Sequence, residues 1–363
     1  MASKIKSKHR IAIKVGSNVL SRKDGSLDIT RISALVDQIS ELRKQNYEVI
    51  LISSGAVAAG KTIVKPKGKL DVVSSRQIYS AVGQARLIHQ YYTLFDYYNI
   101  PCGQVLTTKE NFATRHHYLN QRNCMSYMLE NGIIPIVNEN DTISVTELMF
   151  TDNDELSGLV ATMMNCEKLI ILSNIDGIYN GNPADKSSVV IQEIDTQKDN
   201  IEEFIQSSKS SAGRGGMQTK YNIARKIAEE GVEVIIANGK KENILTDLIN
   251  DSNTLCTRFI PSSKGVSTVK KWIAHSESFA KGEIHINAGA REVLTSDSAV
   301  SLLPVGITHI NGMFEANDIV KIIDENGLQI GVGCSAFDSE EVESLIGQSN
   351  SKPIVHYDYL YID

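Results

Sequence analysis

Long apolar runs are missing from this chain of 363 residues. None approaches the ~20 consecutive apolar residues of a bilayer-spanning helix, which sets a helical membrane protein aside. The basic start MASKIKSKHR leads only into a short strand-like run, Ile11 to Val15, without the apolar core of a secretion leader. Cysteine is sparse: the five, Cys102, Cys124, Cys166, Cys256 and Cys334, are scattered and never in CxxC spacing. That pattern excludes a zinc knuckle and a disulfide framework, and the expected compartment is a reducing cytoplasm. Positive charge is not in excess either. A net charge of −6 with 22% charged residues gives no global field for gathering nucleic acid. Any anionic ligand must be held by local Lys, Arg, backbone N–H groups or metal. Three catalytic signatures are also absent: a G-x-G-x-x-G after the first strand, a G-x-S-x-G elbow and a Walker A loop. His116-His117 has no Cys or carboxylate partner at ligand spacing, so no metal cage built from protein side chains is expected.

What is present is an alternation. Short Val/Ile-rich runs at 11–15, 49–53, 103–107, 133–137, 168–172 and 232–237 are interleaved with helix-like segments at 29–45, 75–98, from about 155, 217–230 and 243–250. Unalternated apolar strands separated by helices predict an α/β fold, an open, mostly parallel, doubly wound sheet covered on both faces. The texture changes after Asn250, where a polar stretch containing Pro261-Ser262-Ser263-Lys264-Gly265 reads as a linker. Closely spaced strand-like pieces follow at 282–287, 301–307, 308–314, 318–323 and 328–333. The expected organisation is a large domain over 1–255, a linker over 256–272, a small β-rich domain over 273–347 and a C-terminal tail over 348–363.

The organising segment is NENDTISVTELMFTDND, residues 138–154, where a buried strand opens into a polar loop. Open α/β sheets keep their ligands at such strand ends. Asn138, Asp141, Asn153 and Asp154 make either a solvated loop or a cage for an amino acid or a Mg²⁺–phosphate group. Lys14 and Gly16 close the first strand with a cation and an approachable backbone. Ser53-Ser54-Gly55-Ala56 starts a helix after the second strand, and its small residues suit either an anion at free N–H groups or close helix–sheet packing. Gly213-Arg214-Gly215-Gly216-Met217-Gln218-Thr219-Lys220 sets glycines and a lysine at a helix start, fit to grip a polyphosphate. Asp154 reads as an N-cap or as a carboxylate orienting two lysines, and Ser173-Asn174-Ile175-Asp176-Gly177 as a turn.

Together IKVGSN, SSGAVAAG, IVNENDT, TDNDELS, LSNIDGIY and GRGGMQTK resemble, in order and spacing, the glutamate 5-kinases of the amino-acid kinase family. The final third, with SLLPVGITHINGMF and GLQIGVG, resembles a PUA domain. The resemblance implies ATP-dependent phosphorylation of the L-glutamate side-chain carboxylate, the first step of proline synthesis. It implies that Lys14 and Lys220 flank the transferring phosphoryl group, that Asp154 holds both lysines, and that Gly16 and Gly55 offer N–H groups. Glutamate would be held by Ser54, Asn138, Asp141 and Asn153, with Asp141 facing its α-ammonium group. ATP would meet Lys14, Ser173, Asn174, Arg214, Gly215, Gly216, Met217, Gln218, Thr219 and Lys220, with Mg²⁺ carried mainly by its phosphates. Family members often have Thr-Asp at Ser173-Asn174 and Thr at Arg214, a departure that bears on nucleotide preference. The family also implies a homo-oligomer, dimer or tetramer, proline as feedback inhibitor, and a glutamyl-phosphate reductase as consumer of the product. The alternatives are a sibling kinase acting on N-acetylglutamate, aspartate or a nucleoside monophosphate, and an RNA-binding protein acting through the PUA-like part. The latter lacks a basic stripe with interleaved aromatics: residues 273–347 carry only Lys281, Arg291 and Lys321 as cations.

Overall fold

The computed structural model describes residues 9–113, 115–144, 150, 152–183, 185, 187–196, 217–250, 253–262, 273, 279–296, 300–349 and 352–362. The chain divides into two compact units, Met1–Lys109 with Gln121–Gly265, and Glu110–Asn120 with Val266–Asp363. No helix among the described residues is long and apolar enough to cross a membrane.

The first unit is built on eight strands: β1 His9–Val15, β2 Tyr47–Ser53, β3 Cys102–Thr107, β4 Ile134–Glu139, β5 Lys168–Ser173, β6 Glu193–Asp195, β7 Glu233–Asn238 and β8 Cys256–Ile260. Their order is β3-β4-β2-β1-β5-β7-β8-β6, parallel except between β7 and β8. Ile11, Ile13, Val49, Leu51, Ile170 and Leu172 are fully buried, as expected of strands covered on both faces. Helices α1 Ser17–Leu20, α2 Ile29–Lys44, α3 Ala56–Ile63, α4 Val72–Asp96 and α5 Asn153–Met163 supply the cover, and α6 Met217–Glu229 precedes β7. Asp28 and Asp71 cap α2 and α4 by accepting from the N–H groups of Arg31 and Ser74.

Register fixes where the site lies. Val15 pairs with Ser53 on one side and with Leu172 on the other, and Ile52 pairs with Val137. The carboxyl ends of β1, β2, β4 and β5 therefore open along one edge, where the chain reverses direction across the sheet.

In the second unit the order is β10-β9-β11-β12-β13, with β9 Gly282–Ile286, β10 Ile307–Asn311, β11 Ile319–Ile323, β12 Gln329–Cys334 and β13 Leu360–Ile362. Its core packs Ile284, Ile286, Val320, Ile322, Ile330 and Leu360.

Three segments differ from the sequence reading. Residues 256–260, read as linker, form β8, an antiparallel partner of β7. Arg258, which makes the stretch look polar, is paired with Glu233 at 2.9 Å while Thr257 and Phe259 are fully buried. The tail is part of the small sheet: β13 pairs with β12, and Leu302 bridges Val355. The strand expected at 301–307 is instead a bridge followed by a 3-10 turn, Pro304–Gly306, because proline lacks the N–H a ladder needs.

Candidate active site

Lys14 is the penultimate residue of β1, its side chain only 7% exposed at the sheet's open edge. There it forms an ion pair with Asp154 Oδ1, and Lys220, from the first turn of α6, takes Asp154 Oδ2. One fully buried carboxylate thus joins two ammonium groups drawn from distant parts of the chain. Burial would push the Asp154 carboxyl up, but the two lysines outweigh it and hold it below its ordinary value.

The N-cap of α5 is Asp152, not Asp154. Asp152 Oδ1 accepts from the N–H groups of Asp154 and Glu155, at 2.8 and 3.1 Å. The cap thereby leaves Asp154 free to serve both lysines. Burial, and then the neighbouring charge of Asp154, push the Asp152 carboxyl up, and its Oδ2 is buried without a hydrogen-bond partner among the described residues.

Beside this centre lies a polar network. Asn153 Nδ2 donates to Ser54 Oγ at 2.8 Å and to Asn138 Oδ1 at 2.9 Å, and Asn138 Nδ2 donates to Gln84 Oε1 at 2.8 Å. The neighbouring Ser53 turns inward, its hydroxyl 2.9 Å from that of Tyr91. Asp141 is tied to Arg76 of α4, whose Nε donates to Asp141 Oδ1 at 2.6 Å and whose Nη2 donates to Glu139 Oε2 at 2.7 Å. Burial pushes both carboxyls above their ordinary values, and the Arg76 charge opposes it without cancelling it. Arg76, Glu139 and Gln84 were not assigned roles from the sequence. Their signal is a polar stripe, Arg76, Ser80 and Gln84, at four-residue spacing on α4, with Ser80 and Gln84 buried.

The glycines serve different purposes. Gly16, expected to offer its N–H to a phosphoryl group, spends that N–H on Leu172 O at 3.1 Å. Its value is space, since a Cβ there would lie 3.2 Å from Leu172 O and 3.8 Å from Lys14 Nζ. Gly55 adopts φ +107° at the N-cap of α3, a conformation that L side chains rarely adopt. The SSGAVAAG segment also answers to close packing, but of helix on helix rather than of helix on sheet: a Cβ on Gly60 would sit 1.8 Å from Tyr79 O, and one on Gly83 1.8 Å from Ala56 O.

Lys14, Gly16, Ser54, Gly55, Arg76, Asn138, Asp141, Asn153, Asp154, Ser173, Asn174 and Lys220 all line one cleft of about 920 Å³. The hairpin turn Arg22-Lys23-Asp24-Gly25, unassigned from the sequence, lines it too. Ser173 ends β5 and Asn174 is exposed beside it. Of the remaining nucleotide residues expected, Arg214, Gly215 and Gly216 lie outside the described residues. Met217, Gln218 and Thr219 form the first turn of α6, where Lys220 faces the cleft. Among the described residues no group of three His, Cys, Asp or Glu side chains is arranged to hold a metal.

Residues 9–238 match the amino acid kinase family and residues 282–357 the PUA domain. The chain is 65% identical over 355 residues to the glutamate 5-kinase of Bacteroides thetaiotaomicron, spanning 98% of both sequences. It is 45% identical to that of Chlorobaculum tepidum, spanning 97% of each. Among solved structures, carbamate kinase from Giardia lamblia bound to AMP-PNP shares the fold at a TM-score of 0.52 and 17% identity, over 70% of this chain and 99% of that one. The chain belongs to the amino acid kinase family, among its glutamate 5-kinases, with a PUA domain after the kinase fold.

Proposed function

We propose that the protein transfers the γ-phosphoryl group of ATP to the side-chain carboxylate of L-glutamate, giving L-glutamyl 5-phosphate and ADP, the opening step of proline synthesis. The observation that carries this reading is the Lys14–Asp154–Lys220 bridge at the open edge of the sheet. It is supported by the 65% identity to a glutamate 5-kinase over nearly the whole chain.

A carboxylate oxygen attacks the γ-phosphorus, the bond to the β–γ bridging oxygen breaks, and ADP leaves with that electron pair. The nucleophile needs no general base, because a glutamate side chain with a reference pKa of about 4.3 is already ionised at neutral pH. What remains is to bring two anions together and stabilise charge on the migrating PO₃ unit. Lys14 and Lys220 do so from fixed positions, since Asp154 holds both without protonating. Gly55 and the start of α3 offer N–H groups to the same oxygens. Ser54, Asn138, Asp141 and Asn153 hold glutamate, with Asp141 at its α-ammonium group, while Ser173, Asn174 and the segment Arg214 to Lys220 hold ATP.

The donor set suits Mg²⁺ carried by ATP rather than caged by the protein. Asp152 Oδ2, buried and without a hydrogen-bond partner among the described residues, is the carboxylate oxygen that would complete its shell, directly or through water. When bound, the ion neutralises the β- and γ-phosphate oxygens.

The protein acts in the cytoplasm as a homo-oligomer, dimer or tetramer. Proline inhibits it by occupying the glutamate subsite at residues 138–154, and a reductase consumes the labile acyl phosphate. Its PUA domain stabilises or assembles the kinase rather than binding RNA. ADP release, measured with glutamate, N-acetylglutamate, aspartate and UMP as acceptors, tests the assignment. Turnover confined to glutamate, with hydroxylamine trapping an acyl phosphate, is expected; turnover with N-acetylglutamate alone would overturn it.

A further inference from the structure

Arg76 reaches from α4 to the 138–144 turn, where it forms an ion pair with each of two buried carboxylates, Glu139 and Asp141, which are 3% and 6% exposed. The two differ in what else holds them. Glu139 Oε1 accepts from Ser144 Oγ at 2.8 Å and from the Phe150 N–H at 3.1 Å, so this carboxylate is saturated by the protein. Asp141 has Arg76 on Oδ1 and takes no side-chain hydrogen bond from another described residue. Gln77, the next residue of α4, donates to Thr142 O at 2.9 Å and pins the same turn to the helix. One guanidinium against two carboxylates leaves a single negative charge when both are ionised, the complement of one ammonium group.

We propose that Arg76 is the positioning residue of the glutamate subsite, its two-pronged grip on Glu139 and Asp141 keeping Asp141 ionised and aimed at the substrate's α-ammonium group. The proposal rests on Asp141 being that ammonium's partner. Without Arg76, two buried carboxylates share one turn with no cation between them, and the less well held of the two, Asp141, gives up its charge first. The reacting carboxylate lies at the other end of glutamate, against Lys14 and Lys220. Loss of Arg76 therefore weakens glutamate binding more than it slows phosphoryl transfer.

A double-mutant cycle tests this, with kcat and the KM values for glutamate and ATP measured on Arg76→Gln, Arg76→Lys, Asp141→Asn and the Arg76→Gln/Asp141→Asn pair. Arg76→Gln should raise the glutamate KM ~10-fold or more, with kcat at saturating glutamate within ~3-fold of the parent and the ATP KM unchanged. Arg76→Lys keeps the charge without the fork and should raise KM less. In the Asp141→Asn background, Arg76→Gln should add little, since the charge it maintains is already gone. Effects that multiply would overturn the proposal and assign Arg76 an independent contact, and so would an unchanged KM in Arg76→Gln. An unchanged KM in Asp141→Asn would instead remove the ammonium subsite on which the proposal rests. Should Arg76→Gln fail to fold, the same cycle with Arg76→Lys separates the same outcomes.

Discussion

Lys14 and Lys220 are joined through a single carboxylate, each ammonium group holding one oxygen of Asp154. Lys14 comes from the central strand and Lys220 from a helix on the other side of the kinase sequence, so the pair exists only in the folded chain. Lys220→Ala should therefore lower kcat by on the order of a hundredfold at saturating ATP and glutamate, as loss of one charge-stabilising donor commonly does. Steady-state kinetics decide it, and unchanged turnover would remove Lys220 from the phosphoryl-transfer step.

Asn153→Ala removes the amide that ties Ser54 to Asn138. The glutamate KM should rise ~10-fold, from one lost hydrogen-bonding group and the two acceptors left behind, with a smaller effect on ATP. A KM change confined to ATP would put Asn153 on the nucleotide side.

Acid should separate binding from chemistry. Asp154 is held below its ordinary value of 3.8, so its favourable contribution is complete above that pH and is lost only as pH falls through the lower folded value. Glu139 and Asp141 are raised above 4.5 and 3.8, so they carry the opposite sign. The folded protein takes up their protons before the unfolded chain does, and the stability they cost at neutral pH is recovered as pH falls. As pH falls from neutral, Asp141, which is raised, takes up its proton before Asp154, which is lowered, so the glutamate KM should rise while kcat at saturating glutamate stays nearly flat. A falling kcat at constant KM would reverse the roles of Asp141 and Asp154.

Gly83→Ala tests the packing of α3 on α4. A methyl group there would meet Ala56 O and Gly60 N, at 1.8 and 2.5 Å from the added carbon, so the helices must separate. Overpacking of this kind should lower Tm by roughly 5 °C or more. An unchanged Tm would mean that the two helices part freely at this crossing.

Much of this was legible in the sequence because buried parallel strands are written as Val/Ile runs, and β1, β2, β4, β5 and β7 fall where those runs are. That Lys14, Asp154 and Lys220 meet at one edge was legible because strand ends and glycine-rich helix starts mark the open edge of such a sheet. The less regular pieces were not. β8 hides behind Arg258, whose charge is neutralised by a residue distant in the chain, and β13 behind the expectation of a tail. Arg76 was silent because its meaning depends on Glu139 and Asp141, brought to it by the fold. Gly16 was assigned the wrong use because the acceptor of its N–H, Leu172 O, belongs to a strand far along the sequence.

The most direct measurement is the kcat of Asp154→Asn at saturating ATP and glutamate, with binding of both substrates verified separately. Asparagine keeps the shape but cannot hold two ammonium groups by charge, so kcat should fall by ~100-fold or more while both substrates still bind. A kcat within a few-fold of the parent would contradict the claim that Asp154 sets the two lysines around the migrating phosphoryl group.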